Sequence, residues 1–73
     1  MNPYEVLGIS IDADDSAIRD AYLLRIWQYS PKRYPEKFKE INDAYDKIRN
    51  KKSRLEYYLF NRDERLKIFH LGH

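Results

Sequence analysis

The sequence predicts an all-α fold built around an antiparallel helical hairpin. Two long segments carry apolar residues at three- and four-residue spacings, and no segment alternates apolar and polar residues over the length of a strand. The 2 glycines and 3 prolines of this 73-residue chain stand at the ends of the periodic segments. A chain of this length forms one domain with a small core, because it buries only about 60% of the surface of its unfolded state.

The first predicted helix is short and begins after Asn2. Asn2 is a favourable N-cap, and Pro3 suits the first helical position, where a missing N–H costs nothing. Glu5 stands three residues after Asn2, which is the spacing of a reciprocal capping box. Gly8 is expected to end the helix, since glycine readily adopts the left-handed conformation at helix ends.

The two arms of the hairpin are predicted at about 15–29 and 35–50. Acidic capping residues at 12–16 mark the start of the first arm. Pro31 disfavours helical geometry at Ser30 and therefore marks its end. Pro35 fits the first turn of the second arm. A link of about five residues leaves the two helices little choice but antiparallel packing. The second arm carries the clearest apolar stripe, which consists of Phe38, Ile41, Ala44, Tyr45 and Ile48.

A basic break at residues 50–53 leads into a further short helix, whose apolar stripe is predicted to contain Leu55, Tyr58 and Leu59. Asn61 and Glu64 then show another capping-box spacing. Residues 1–60 are therefore expected to form the helical module, and residues 61–73 a C-terminal helical extension or a linker.

The composition excludes several classes of function. The chain has no cysteine, so it has neither a disulfide nor a thiolate metal site. Its histidines, His70 and His73, stand at the end of the chain without a carboxylate constellation, so we expect no metal and no cofactor there. Neither a glycine-rich phosphate loop nor a nucleophile–base pair is present, and the chain is not expected to be an enzyme.

The chain also lacks the features of a membrane or secreted protein. No apolar run approaches the roughly 18 residues that would span a bilayer. The N-terminus has no basic segment followed by an apolar stretch, as a secretory signal would. A cytoplasmic location is therefore the expectation.

Four segments, in the same order and spacing, resemble the J-domain family. NPYEVLGI at residues 2–9 is similar to the first helix and its stop, and DSAIRDAY at 15–22 to the start of the second helix. KFKEINDAY at 37–45 is similar to the third helix, and KKSRLEYY at 51–58 to the fourth. The resemblance covers residues 2 to about 60. It implies a J-domain-like helical hairpin and a role as a chaperone-related partner of Hsp70.

The resemblance also implies a functional loop between the two long helices. The family is known for a His-Pro-Asp tripeptide there, which contacts Hsp70 and triggers ATP hydrolysis. In this sequence the matching residues are Ser30, Pro31 and Lys32, so only the proline is retained. We therefore predict an adaptor or regulator that does not stimulate Hsp70. The alternative is a genuine co-chaperone whose Hsp70 has diverged with it.

The second helix departs from the family pattern as well. The resemblance implies a basic outer face, yet the charges of residues 15–29 sum to zero. Two interpretations are open. In one, Leu24 joins a wide buried stripe while Arg25 extends its charged end to water. In the other, Leu23 and Trp27 form an exposed apolar contact surface. Neither interpretation accounts for Arg25 on the core side.

The predicted partner-binding residues are Ser30, Pro31, Lys32, Leu23, Trp27, Tyr22 and Tyr34. Tyr34 is expected to be either a lid over the core or part of the contact surface. The protein partner would be Hsp70, another J-protein or a client, and Leu23 and Trp27 would also offer a contact for self-association. A further alternative is a small helical nucleic-acid-binding module, since residues 47–54 are basic and have tyrosines nearby.

Overall fold

The computed structural model describes residues 2–60, and this range is helical without any strand. Helix α1 spans Pro3–Leu7, α2 spans Asp15–Gln28 and α3 spans Pro35–Ile48. A further helix, α4, occupies residues 51–60. The predicted all-α hairpin with short flanking helices is therefore confirmed. The predicted extension at residues 61–73, with its two histidines, lies outside the described residues.

Helix α1 is capped at both ends by its own sequence. The Oδ1 atom of Asn2 accepts a hydrogen bond from the N–H of Tyr4 at 2.9 Å, so the predicted N-cap is present. The capping-box prediction was wrong. The Asn2 side chain accepts its hydrogen bond from the N–H of Tyr4 rather than from that of Glu5, and Glu5 is exposed. Gly8 ends the helix with a φ of 71°, and its N–H donates to the carbonyl oxygen of Glu5 at 3.1 Å.

Helices α2 and α3 form the arms of the hairpin. Asp14 caps α2 by accepting a hydrogen bond from the N–H of Ala17 at 2.8 Å. Between the arms, Tyr22 stacks on Tyr45 with ring centroids 4.1 Å apart. The hydroxyl of Tyr22 also donates to Oδ1 of Asn42 at 2.6 Å. These contacts fix the rotation of α2 against α3.

The core is small and centres on α3. Five hydrophobic residues of the described range are buried: Leu7, Ile18, Ile41, Ala44 and Ile48. Three of them belong to the apolar stripe predicted for the second arm, whose other members, Phe38 and Tyr45, are half-buried. Helices α1 and α2 each contribute one of these five residues, and α1 also buries Pro3, so α3 supplies the largest share of the core.

Helix α4 packs with a different face from the one expected. Leu55, Tyr58 and Leu59 are exposed, whereas Tyr57 packs against the core. The reason is Arg54, which donates to the carbonyl oxygen of Ile48 at 3.0 Å and pairs with Asp15 at 2.6 Å. Because Arg54 and Tyr57 are three residues apart, they share the face that α4 turns toward the hairpin.

Candidate partner-binding surface

The outer side of α2 carries three exposed apolar side chains. Leu23, Leu24 and Trp27 are 46%, 56% and 83% exposed, and we call them the α2 face. The interpretation that buried Leu24 was wrong, and Leu23 and Trp27 are exposed as the other interpretation required. These three side chains face outward because the opposite side of α2 packs on the core. That inward side carries residues at three- and four-residue spacings: Ile18, Tyr22, Ile26 and Tyr29.

Arg25 has a structural role that the sequence did not reveal. Arg25 is half-buried: its Nε atom donates to the carbonyl oxygen of Leu7 at 3.4 Å, and its Nη1 atom donates to Oε1 of Gln28 at 3.4 Å. Its guanidinium lies where a Cβ atom at Gly8 would project. A cation at this position satisfies a terminal carbonyl of α1 and interacts favourably with the negative end of the helix dipole. Because Arg25 binds a backbone carbonyl, the side chains of α1 gave no indication of this contact in the sequence.

The loop after α2 is a compact turn organised by Ser30. The carbonyl oxygen of Ser30 accepts hydrogen bonds from the N–H groups of Arg33 and Tyr34 at 3.2 and 2.8 Å. Ser30 is half-buried, whereas Pro31 and Lys32 are exposed. Lys32 takes part in none of the ion pairs found within residues 2–60, so the turn presents its ammonium group to solvent.

Tyr34 connects this turn to the hairpin. Its ring meets the ring of Tyr29 edge to face, with centroids 5.3 Å apart, and Tyr34 is 42% exposed. The Tyr29 ring also has a cation beside it: the Nζ atom of Lys37 lies 5.7 Å from the ring centroid. Tyr34 therefore covers Tyr29 rather than the buried core, and its remaining surface lies beside the loop.

The predicted site residues do not all come together. Trp27 occupies the last turn of α2, Leu23 lies one turn earlier on the same side, and the turn at 30–34 follows directly. Tyr22 points the other way, into the α2–α3 contact, where it stacks on Tyr45. Leu24, which was not among the predicted site residues, lies on the α2 face.

Few charges remain on the outer side of α2. Arg25 is engaged at the end of α1, and Asp15 is paired with Arg54. Arg19 and Asp20 are the exposed charged residues left within the helix. The outward surface of α2 is therefore apolar in its C-terminal half and close to neutral overall.

Other concave or charged features of residues 2–60 are modest. An open groove of 330 Å³ lies between α3 and α4 and is lined by Asp46, Lys47, Ser53, Glu56, Tyr57 and Phe60. Within the described range, no three histidine or acidic side chains are grouped closely enough to bind a metal ion. No helix of that range has both the length and the apolar character needed to cross a bilayer.

Comparison with known proteins identifies similar chains. A family model described as the DnaJ domain matches residues 2–58. The chaperone protein DnaJ of Oleidesulfovibrio alaskensis is 41% identical over 63 residues, covering 78% of this chain and 17% of the relative. The protein of the same name from Clostridioides difficile is 42% identical over 66 residues, covering 82% and 17%. This chain thus spans less than a fifth of the length of these curated relatives.

Proposed function

This chain belongs to the DnaJ domain family, and from that premise we propose that it is a non-enzymatic, chaperone-related module that binds a protein partner without stimulating ATP hydrolysis by Hsp70. The observation that carries the proposal is the loop after α2, which keeps an ordered turn but presents the cation of Lys32. The family resemblance implies an aspartate at this position.

The charge at Lys32 opposes the interaction that the family makes. If the Hsp70 surface facing the loop is positive, Lys32 brings two like charges together. Breaking one buried charge pair at an interface costs about 2–5 kcal/mol, which corresponds to roughly 30- to 5,000-fold in affinity. A reversal of sign costs no less, because repulsion is added to the lost attraction.

The change at Ser30 is chemical rather than conformational. A hydroxyl replaces the imidazole that the resemblance implies, but the carbonyl oxygen of Ser30 still accepts two hydrogen bonds that close the turn. Tyr34 packs on Tyr29 and holds the turn against the hairpin. The scaffold that positions the loop is therefore present, while two of its three functional side chains are not.

The α2 face supports a partner held by apolar contacts. A basic helix face would attract an acidic surface over a long range, and the near-neutral outer side of α2 does not. Exposed clusters of large apolar residues mark interaction sites instead. We propose Hsp70 itself, another J-protein or a client as the class of partner, and the cytoplasm remains the expected compartment on the grounds of sequence.

A second candidate is a working co-chaperone whose Hsp70 has diverged with it. Lys32 and Arg33 are both exposed in an ordered turn, which would suit an acidic patch on a dedicated Hsp70. The nucleic-acid alternative stays a prediction: Arg54 of the basic stretch is engaged by Asp15 and by a backbone carbonyl, whereas Lys47, Lys51 and Lys52 are exposed.

Binding and stimulation are tested in separate measurements. Hsp70 from the same organism is immobilised and its binding to this chain is measured, and single-turnover ATP hydrolysis is then followed with and without the chain. We expect no acceleration of hydrolysis at any concentration, with or without binding. Acceleration would contradict the adaptor proposal and establish the co-chaperone alternative.

A further inference from the structure

We propose that the α2 face pairs with the same face of a second copy of this chain, with the two α2 helices antiparallel. This inference concerns the chain without a bound partner, because the proposed function offers the same α2 face to another protein, which would compete with the second copy. Its starting point is Trp27, which is the only tryptophan in the sequence and is 83% exposed. Leu23 and Leu24 lie one turn away on the same outer side of the helix.

The charges at the two ends of α2 are complementary to each other. Asp12 and the N-cap Asp14 are exposed just before the helix, Asp20 is exposed in its second turn, and the turn after its end bears the exposed Lys32 and Arg33. Within α2 itself, the exposed cation near the acidic end is Arg19, about 100° around the helix from Asp20. A surface with opposite charges at its two ends is complementary to itself when a second copy lies antiparallel to it.

In a two-fold dimer, this charge complementarity acts at two symmetric places. In an interface with a two-fold axis, each contact between two residues occurs again with the copies exchanged. Placing Trp27 of one copy against Leu23 and Leu24 of the other brings Asp20 of each chain toward Lys32 of its partner.

The size of the surface predicts a weak dimer. Trp27 and the exposed parts of the two leucines offer about 300 Å² of apolar surface per copy. A standard specific interface buries about 800 Å² per partner, so this contact belongs with weak and transient ones. We expect a dissociation constant between about 10 µM and 1 mM.

Two readouts follow self-association of the full chain. Sedimentation equilibrium from about 5 µM to about 1 mM gives the mass. The emission of Trp27 reports directly on the contact, since its ring leaves water when the dimer forms, and its maximum should move to shorter wavelength as concentration rises. Trp27→Ala should remain a monomer throughout this range. Tyr58→Ala removes another exposed aromatic ring, which is 60% exposed on α4, and should dimerise like the wild type.

Charge reversal tests the antiparallel arrangement. Neither Asp20 nor Lys32 belongs to an ion pair within residues 2–60, so their substitution should leave the fold unchanged. Asp20→Lys and Lys32→Glu should each weaken the dimer, by roughly fivefold at low salt, and the double variant should recover most of the loss. A wild type that stays monomeric at about 1 mM, a Trp27→Ala variant that still dimerises, or a double variant weaker than both single variants would each overturn the proposal.

Discussion

The guanidinium of Arg25 lies against Gly8, and its Nε atom donates to the carbonyl oxygen of Leu7 at 3.4 Å. The second helix thereby holds the end of the first. Gly8 is constrained in two ways, by its φ of 71° and by the space that the Arg25 side chain occupies. These two constraints are separable by experiment.

Gly8→Ala is expected to lower the free energy of unfolding by about 2 kcal/mol or more, because a Cβ atom there is strained and also meets Arg25. In an Arg25→Ala background, the same substitution should cost only the backbone strain, about 1 kcal/mol. Urea unfolding followed by circular dichroism measures all four chains of this cycle. Equal costs in the two backgrounds would contradict the crowding of Gly8 by Arg25.

Arg54 should be the most important charged side chain for the position of α4. Its side chain is only 16% exposed, and it bonds both Asp15 and the carbonyl oxygen of Ile48. Arg54→Ala is expected to cost about 1–3 kcal/mol in thermal or urea unfolding. Arg49→Ala is the matched control, since its contact with Asp46 is 3.8 Å long and exposed, and it should change stability by less than about 0.5 kcal/mol. Similar losses of stability in both variants would contradict the special role of Arg54 in positioning α4.

The contact between Tyr22 and Asn42 is expected to contribute to the hairpin beyond the stacking of Tyr22 on Tyr45. Tyr22→Phe keeps the stacked ring but removes the 2.6 Å hydrogen bond, and should cost about 1 kcal/mol. Tyr22→Leu should cost about 1 kcal/mol more, because the stacking is lost as well. Tyr58→Phe alters an exposed hydroxyl and serves as the control. Unchanged stability in Tyr22→Phe would show that the hydroxyl bond has no net value.

The order of the loop should depend on the ring of Tyr34. The N–H of Tyr34 donates to Ser30 at 2.8 Å, and its ring contacts Tyr29. Tyr34→Ala should increase amide hydrogen exchange at Arg33 by up to roughly tenfold, since an edge-to-face pair is worth about 0.5–1.5 kcal/mol. Tyr34→Phe preserves the ring and should exchange like the wild type. Equal exchange in all three chains would mean that the turn holds without this contact.

The sequence predicted the helices well because their signals are local. Asn2, Pro3 and Gly8 bound α1, and the stripe of α3 has one clear apolar side. The faces of α2 and α4 were harder to assign, since apolar residues occur on more than one side of each helix. Packing partners then decide which side is buried, as the turning of α4 by Arg54 illustrates. The contact of Arg25 with a backbone carbonyl leaves no mark in the partner's side chain, so periodicity did not reveal it.

The sequence predicted where the loop between α2 and α3 lies, but it did not predict the conformation of that loop. Pro31 and the spacing of the four family-like segments placed Ser30, Pro31 and Lys32 between the arms. The hydrogen bonds that close the turn on Ser30 and the packing of Tyr34 on Tyr29 depend on the approach of α2 and α3. These contacts support the idea that the scaffold is retained while the chemistry of the loop has changed.

The most direct test of that central claim is single-turnover ATP hydrolysis by Hsp70 with the wild-type chain and with a Ser30→His/Lys32→Asp variant. Circular dichroism first checks that both chains fold alike. We expect the variant to accelerate hydrolysis and the wild type not to, because the hairpin still positions the loop. Acceleration by the wild type would contradict the proposed non-stimulating role. Failure of both chains would show that the outer side of α2 has lost the Hsp70 contact as well.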